Sequence, residues 1–200
     1  MKKIISYVVY WLIQCTWGFI MTFIGAVVAL GLLITKHKPC FLGPNIYFIV
    51  GSNWGGINFG PFFFCCQEAD KIKLHEAGHG IQNLIWGPLM PFVIGFPSLV
   101  RSWIRQYPTH LKKSLFNLCF LLMALIITTL LACLTGPLLH WHWTTIGLEI
   151  LRLYFCIVSI WLTLFEIPRY DRCDKVLYDA IWFERQATRW GEKIYEKKED

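Results

Sequence analysis

Three long apolar runs set the pattern of the chain. Residues 4–34, 114–139 and 143–168 are predominantly apolar, and the first two runs contain no charged residue. About 20 apolar residues in a helix cross a bilayer core of about 30 Å, so each run predicts a membrane-spanning helix. The first run is longer than one straight crossing needs. It predicts either one tilted helix or a helix that bends near Gly18 or Gly25.

A more polar region lies between the first two runs. Residues 45–50 and 57–66 have the composition of short strands, and the Gly- and Asn-rich residues 51–56 between them predict a hairpin turn. A helix is predicted over about 69–86. The three prolines and two glycines of residues 84–100 are unusual in a spanning helix and predict an interfacial or re-entrant segment.

Composition and charge agree with an integral membrane protein. Apolar residues make up 56% of the 200 residues and charged residues only 16%. The net charge of +6 comes from basic residues that flank the apolar runs, where they mark topology and contact anionic lipid headgroups. No basic helix with interleaved aromatic residues is present in the sequence, so nucleic acid is not a predicted partner.

The segment KLHEAGHGIQ, residues 73–82, contains the pattern HExxH. On a helix, His75 and His79 lie on one face, so both imidazoles can reach one Zn²⁺ at about 2.0–2.1 Å. Glu76 then lies beside the metal, where it can act as a general base. The alternative is a polar helix face at a membrane surface.

A third ligand is required for a catalytic zinc, and the segment WFERQATRWG, residues 182–191, offers one. Glu184, Ala187, Thr188 and Gly191 fall along one face of a helix. The small residues Ala187 and Gly191 would let this helix pack closely against the HExxH helix. Glu184 is therefore the candidate third ligand.

The order HExxH, transmembrane helices and then ExxA-x-x-x-G resembles the HtpX-type membrane metallopeptidases, which belong with the CAAX-prenyl-protease type to the gluzincins. The resemblance implies that His75, His79 and Glu184 bind zinc and that Glu76 is the general base. The family commonly has Asp after the Ala, where this chain has Thr188. That departure removes a carboxylate that would normally orient a ligand or a charged partner.

The expected fold is therefore a mainly α integral membrane protein with three clear transmembrane helices. These accompany a zincin-like core with a short β-hairpin and two active-site helices, in one integrated domain. The expected segments are an N-terminal membrane anchor (1–35), a zincin-like segment with the edge hairpin, the HExxH helix and the interfacial or re-entrant segment (36–113), a transmembrane hairpin (114–168) and a C-terminal helix with the third ligand (169–200).

A protein or peptide substrate and membrane lipid are the expected partners. In zincins an edge strand before the HExxH helix pairs with extended substrate backbone, and residues 57–64 lie at the corresponding position. The Gly and Pro within that stretch suit an edge strand. The alternative is a hydrophobic hairpin packed on the membrane face, and the sequence sets no oligomeric state.

The distribution of basic residues indicates how the protein is oriented in a cell or inner membrane. Sixteen of the 19 Lys and Arg residues lie in 36–113 and 169–200, which predicts a cytoplasmic site. A single first span that starts in the cytoplasm would instead place the site outside, and a bent first segment reconciles the two.

Two other functions share part of this sequence pattern. A site-2-type intramembrane protease also uses HExxH, but its third ligand is an Asp in a later span, and residues 114–139 and 143–168 contain no Asp. The other rival is a non-catalytic membrane scaffold or accessory protein that retains a degenerate zincin site.

Overall fold

The computed structural model describes residues 2–52, 54–139, 142–172 and 180–195. The chain divides into two compact units, one made of Met1–Phe96 with Leu177–Asp200 and the other of Pro97–Val176. The segments that carry HExxH and Glu184 therefore belong to the same unit. Part of the predicted C-terminal helix, at 173–179 and beyond 195, lies outside the described residues.

Most described residues are helical. The helices are α1 (Lys2–Thr16), α2 (Phe19–Ile34), α3 (Asp70–Trp86), α4 (Phe96–Arg105), α5 (His110–Leu139), α6 (His142–Trp161), α7 (Ile167–Arg172) and α8 (Trp182–Tyr195). A 3₁₀ turn at Gly87–Leu89 and a π-helical turn at Pro91–Gly95 separate α3 from α4, and a second π-helical turn at Leu162–Glu166 separates α6 from α7. The breaks at 87–95 lie among the clustered prolines and glycines. The interfacial or re-entrant course of residues 84–100 stays a prediction.

Among the residues that the structure describes, two helices are long and apolar enough to cross a membrane, His110–Thr135 and Thr144–Tyr170. The number rises to four if each of two bent helix pairs forms one span. A mainly helical chain with two to four candidate spans is thus observed, whereas the prediction of three clear transmembrane helices is not confirmed.

The first apolar run is bent rather than straight. Helices α1 and α2 meet at an angle of 98° across Trp17 and Gly18. A Cβ atom at Gly18 would lie 2.5 Å from Nδ2 of Asn83 on α3. The bend occurs at the first of the two candidate glycines, and the absence of a side chain at Gly18 leaves room for the Asn83 amide.

A four-stranded sheet lies in the same unit as α1–α3. Its strands β1 (Cys40–Leu42), β2 (Asn45–Ile49), β3 (Gly56–Phe59) and β4 (Phe62–Cys65) have the spatial order β1-β2-β4-β3. The pair β2–β4 is parallel and the other two pairs are antiparallel.

The predicted hairpin turn at 51–56 is wrong. Parallel β2 and β4 cannot be joined by a tight turn, and the chain first forms the outer strand β3. The hairpin instead joins β3 to β4 through Gly60 and Pro61, with Gly60 in the left-handed region at φ +68. Residues 62–64 of the predicted substrate edge consequently lie in β4, which has a strand on each side. Within the predicted stretch 57–64, only the part in β3 lies at an edge of the sheet.

The sheet packs between α3 and α2. Phe63 and Cys65 point to one face, where they join Tyr47 and Ala77 of α3 in one buried cluster. On the opposite face Phe48 and Phe64 pack against Ala29 of α2. Since side chains alternate along a strand, this packing also directs Gly56 and Asn58, the partners of Cys65 and Phe63, toward α3.

Candidate metal centre

Helices α3 and α8 touch backbone to backbone. A Cβ atom at Gly78 would lie 2.6 Å from the carbonyl carbon of Ala187 and closer still to its oxygen. One turn away, a Cβ atom at Gly191 would similarly overlap the carbonyl oxygen of Leu74. The two glycines permit an approach that any larger residue would prevent, and that approach brings Glu184 to the histidines of α3.

The three predicted ligands converge on one point. Nε2 of His75 lies 3.1 Å from Nε2 of His79, and Oε2 of Glu184 lies 3.2 Å from each. The residues are 9%, 7% and 0% exposed, respectively. These three atoms form an almost equilateral triangle in the interior.

The hydrogen-bond partner of His79 determines which ring nitrogen carries the proton. Nε2 of Gln82 donates to the carbonyl oxygen of Phe183 at 2.8 Å, and a carbonyl oxygen can only accept. The other end of the amide, Oε1, therefore faces Nδ1 of His79 at 2.7 Å and accepts a hydrogen bond from it. A neutral His79 consequently has its Nε2 lone pair directed into the triangle.

Thr188 plays the corresponding part for His75. Its hydroxyl donates to the backbone carbonyl of Glu184 at 3.2 Å, so its oxygen can accept from Nδ1 of His75 at 2.8 Å. The Nε2 lone pair of His75 then also faces the triangle. Thr188 thus offers the hydrogen-bond acceptor that an Asp would offer at this position.

Three acceptor atoms that face each other at this spacing repel unless a cation lies among them. A tetrahedral ion with bonds of about 2.0–2.1 Å requires ligand atoms roughly 3.3 Å apart, and the observed 3.1–3.2 Å is close to that value. The residues therefore fit a divalent metal, and the group is one that could hold such an ion.

Glu76 lies beside the triangle and is not one of its corners. Its side chain is buried, at 5% exposure, and faces the edge strand. A Cβ atom at Gly56 would lie 2.5 Å from Oε1 of Glu76. The side chain of Asn58 donates from Nδ2 to the backbone carbonyl of Glu76 at 2.8 Å and so attaches β3 to α3.

No protein-family model, curated protein or solved structure matches the chain.

The structure brings all four sequence-predicted site residues together. Sequence reasoning missed Gln82, Gly56 and Asn58, which contact these residues or their backbone. Only Gln82 carried a usable signal, since it lies three residues after His79 and hence on the same helix face. The two β3 residues gave none, because their approach to α3 depends on the sheet order.

Proposed function

We propose that this chain is a membrane-embedded zinc metallopeptidase of the HtpX-like type. The observation that carries the proposal is the triangle of His75, His79 and Glu184 with the buried Glu76 beside it. Two imidazole nitrogens and one carboxylate oxygen form a donor set typical of a catalytic zinc, which keeps its fourth position open. A purely structural zinc usually has four protein ligands, and the described cluster has three.

Zinc held by these ligands would supply Lewis acidity to the attacking water and to the scissile carbonyl. Glu76 accepts the proton that the water loses as it attacks the carbonyl carbon. The same carboxyl group then delivers the proton to the amine nitrogen, so that the C–N bond breaks to a free amine. Because only 5% of Glu76 is exposed, few competing water molecules can reach its carboxylate.

Strand β3 is the proposed binding edge for an extended peptide substrate. The backbone N–H of Cys66 donates to the carbonyl of Gly55, so residues 55 and 57 direct their backbone groups toward β4. Gly56 and Asn58 consequently direct theirs to the open side, where a substrate strand can pair by β-augmentation. Both residues also contact Glu76, which supports placing the scissile bond near that carboxylate.

The proposed location is an integral position in a cell or inner membrane, with the site facing the cytoplasm. The excess of basic residues on the catalytic side supports this orientation. The bend between α1 and α2 also supports it, because a bent first run need not carry the chain across the bilayer.

Metal content and cleavage together test the proposal. The full-length protein is purified in detergent, its zinc is measured by mass spectrometry, and cleavage is followed on a mixed peptide library. We expect Glu184→Ala to lose zinc, because the triangle loses its only anionic corner. Glu76→Gln should keep zinc and lose cleavage, and Glu192→Ala, at an exposed position on the same helix α8, is the matched control.

A wild-type protein without zinc, or full zinc content in Glu184→Ala, contradicts the metal assignment. Wild-type cleavage rates in Glu76→Gln contradict the role of the base. Zinc binding without any cleavage by the wild type favours the non-catalytic scaffold instead.

A further inference from the structure

Gln82 links a histidine ligand to the helix that carries the carboxylate ligand. Its side chain is fully buried and contacts three partners. Oε1 accepts from Nδ1 of His79 at 2.7 Å, whereas Nε2 donates to the carbonyl of Phe183 at 2.8 Å and to Oε1 of Gln186 at 3.0 Å. Phe183 and Gln186 flank Glu184 in the first turns of α8.

We infer that Gln82 is a positioning residue that assembles the metal centre before the ion arrives. It sets the tautomer of His79 and holds that imidazole at a fixed distance from Glu184. The inference rests on the proposed metal site, and it adds a residue whose importance the HExxH pattern does not indicate.

The orientation of the Gln82 amide follows from the position of α8. One group facing its Nε2 is the backbone carbonyl of Phe183, which can only accept, so the amide cannot turn over without placing two oxygens against each other. Its Oε1 end is therefore always presented to His79. Without that acceptor, the ring of His79 could carry its proton on Nε2, which would put a hydrogen atom where the metal must bind.

The same contacts fix the distance between α3 and α8 as well as the position of the proton on His79. Gln82 lies on α3 and its Nε2 donates to the carbonyl oxygen of Phe183 on α8, so any retreat of α8 would break this buried hydrogen bond. Metal ligands must stay within about 0.2 Å of their ideal bond lengths. A buried amide that spans both helices supplies such a restraint directly at the site.

Substitution can separate the two actions of the side chain. Gln82→Met keeps the approximate length and volume but removes every hydrogen bond. Gln82→Glu keeps an acceptor for His79, yet it places a carboxylate oxygen against the carbonyl oxygen of Phe183. Gln186→Met removes only the bond between Gln82 and Gln186 and is the matched control, because it leaves the contacts to His79 and Phe183 intact.

The test uses the full chain in detergent after metal removal with a chelator. Co²⁺ is titrated in, its visible d–d absorption reports coordination geometry, and chelator competition gives affinity for Co²⁺ and Zn²⁺. The melting temperature of the metal-free protein is measured in parallel. Loss of such an outer partner typically lowers metal affinity about 10–100-fold.

We expect Gln82→Met to lose affinity in this range and to show an altered Co²⁺ spectrum, while Gln186→Met stays close to wild type. Gln82→Glu should also bind Co²⁺ and Zn²⁺ more weakly, and it replaces the Met variant in the test if that variant does not fold. Wild-type affinity and spectrum in a folded Gln82 variant overturn the inference. A wild-type chain that binds neither ion contradicts the proposed function itself, which distinguishes the two failures.

Discussion

Replacing Gly78 by Ala should disrupt the proposed metal site without changing any of its proposed ligands. In the native packing a Cβ atom at this position would lie 2.6 Å from the carbonyl carbon of Ala187. Carbon atoms in contact lie about 3.5–4.0 Å apart, so α3 and α8 must separate by roughly 1 Å. The opposing atoms belong to backbone, and a rotamer change therefore cannot relieve the overlap.

The consequence for the metal follows from the same displacement. Ligand distances tolerate deviations of only about 0.2 Å, so a separation of roughly 1 Å removes Glu184 from the triangle. Overpacking of a core contact costs about 1–3 kcal/mol, so the fold is weakened as well. We expect Gly78→Ala to lose zinc and to melt at a lower temperature.

Gly31→Ala is the matched control. Gly31 is also a helical glycine, in α2, but a Cβ atom there would meet nothing within 4 Å. Alanine is favoured over glycine in a helix by up to about 1 kcal/mol, so this variant should keep zinc and melt at an equal or higher temperature. Wild-type zinc content and affinity in a folded Gly78→Ala protein would refute the packing argument.

Two further substitutions address the proposed general base Glu76 and Thr188, the hydrogen-bond partner of His75. Gly56→Ala should keep zinc but lower cleavage by on the order of 10²-fold. The new Cβ would lie 2.5 Å from Oε1 of Glu76 and would therefore displace this flexible carboxylate. An unchanged kcat would argue against the proposed placement of the base. Thr188→Val should weaken metal binding in a chelator competition, and Thr188→Ser should restore it, because the serine hydroxyl can again accept from His75. Equal affinities in the Val and Ser variants would show that the hydroxyl is unimportant.

Local patterns along the chain predicted the parts of this protein that depend on neighbouring residues. The apolar runs exceed the thickness of a bilayer, and two of them form helices long enough to span one. The spacing of His75 and His79 places them on one helix face whatever surrounds that helix. Glu184 could be singled out because Ala187 and Gly191 follow it along one face.

Tertiary structure decided every feature that depends on which elements meet. The break at Gly18 rather than Gly25 reflects the packing of that turn against Asn83, 65 residues away along the chain. The parallel pairing of β2 with β4, which moved the hairpin turn to Gly60, is a long-range choice that turn residues alone do not specify.

The candidate site shows the same division. The sequence by itself determined the two histidines, the adjacent carboxylate and a distant glutamate with small residues beside it. Only the backbone contact of α3 with α8 brought that glutamate to 3.2 Å from both imidazoles. The same contact gave Gln82 and Thr188 their roles, because a hydrogen-bond partner is defined by direction and distance in space, and residues 105 positions apart along the chain acquire these only through packing.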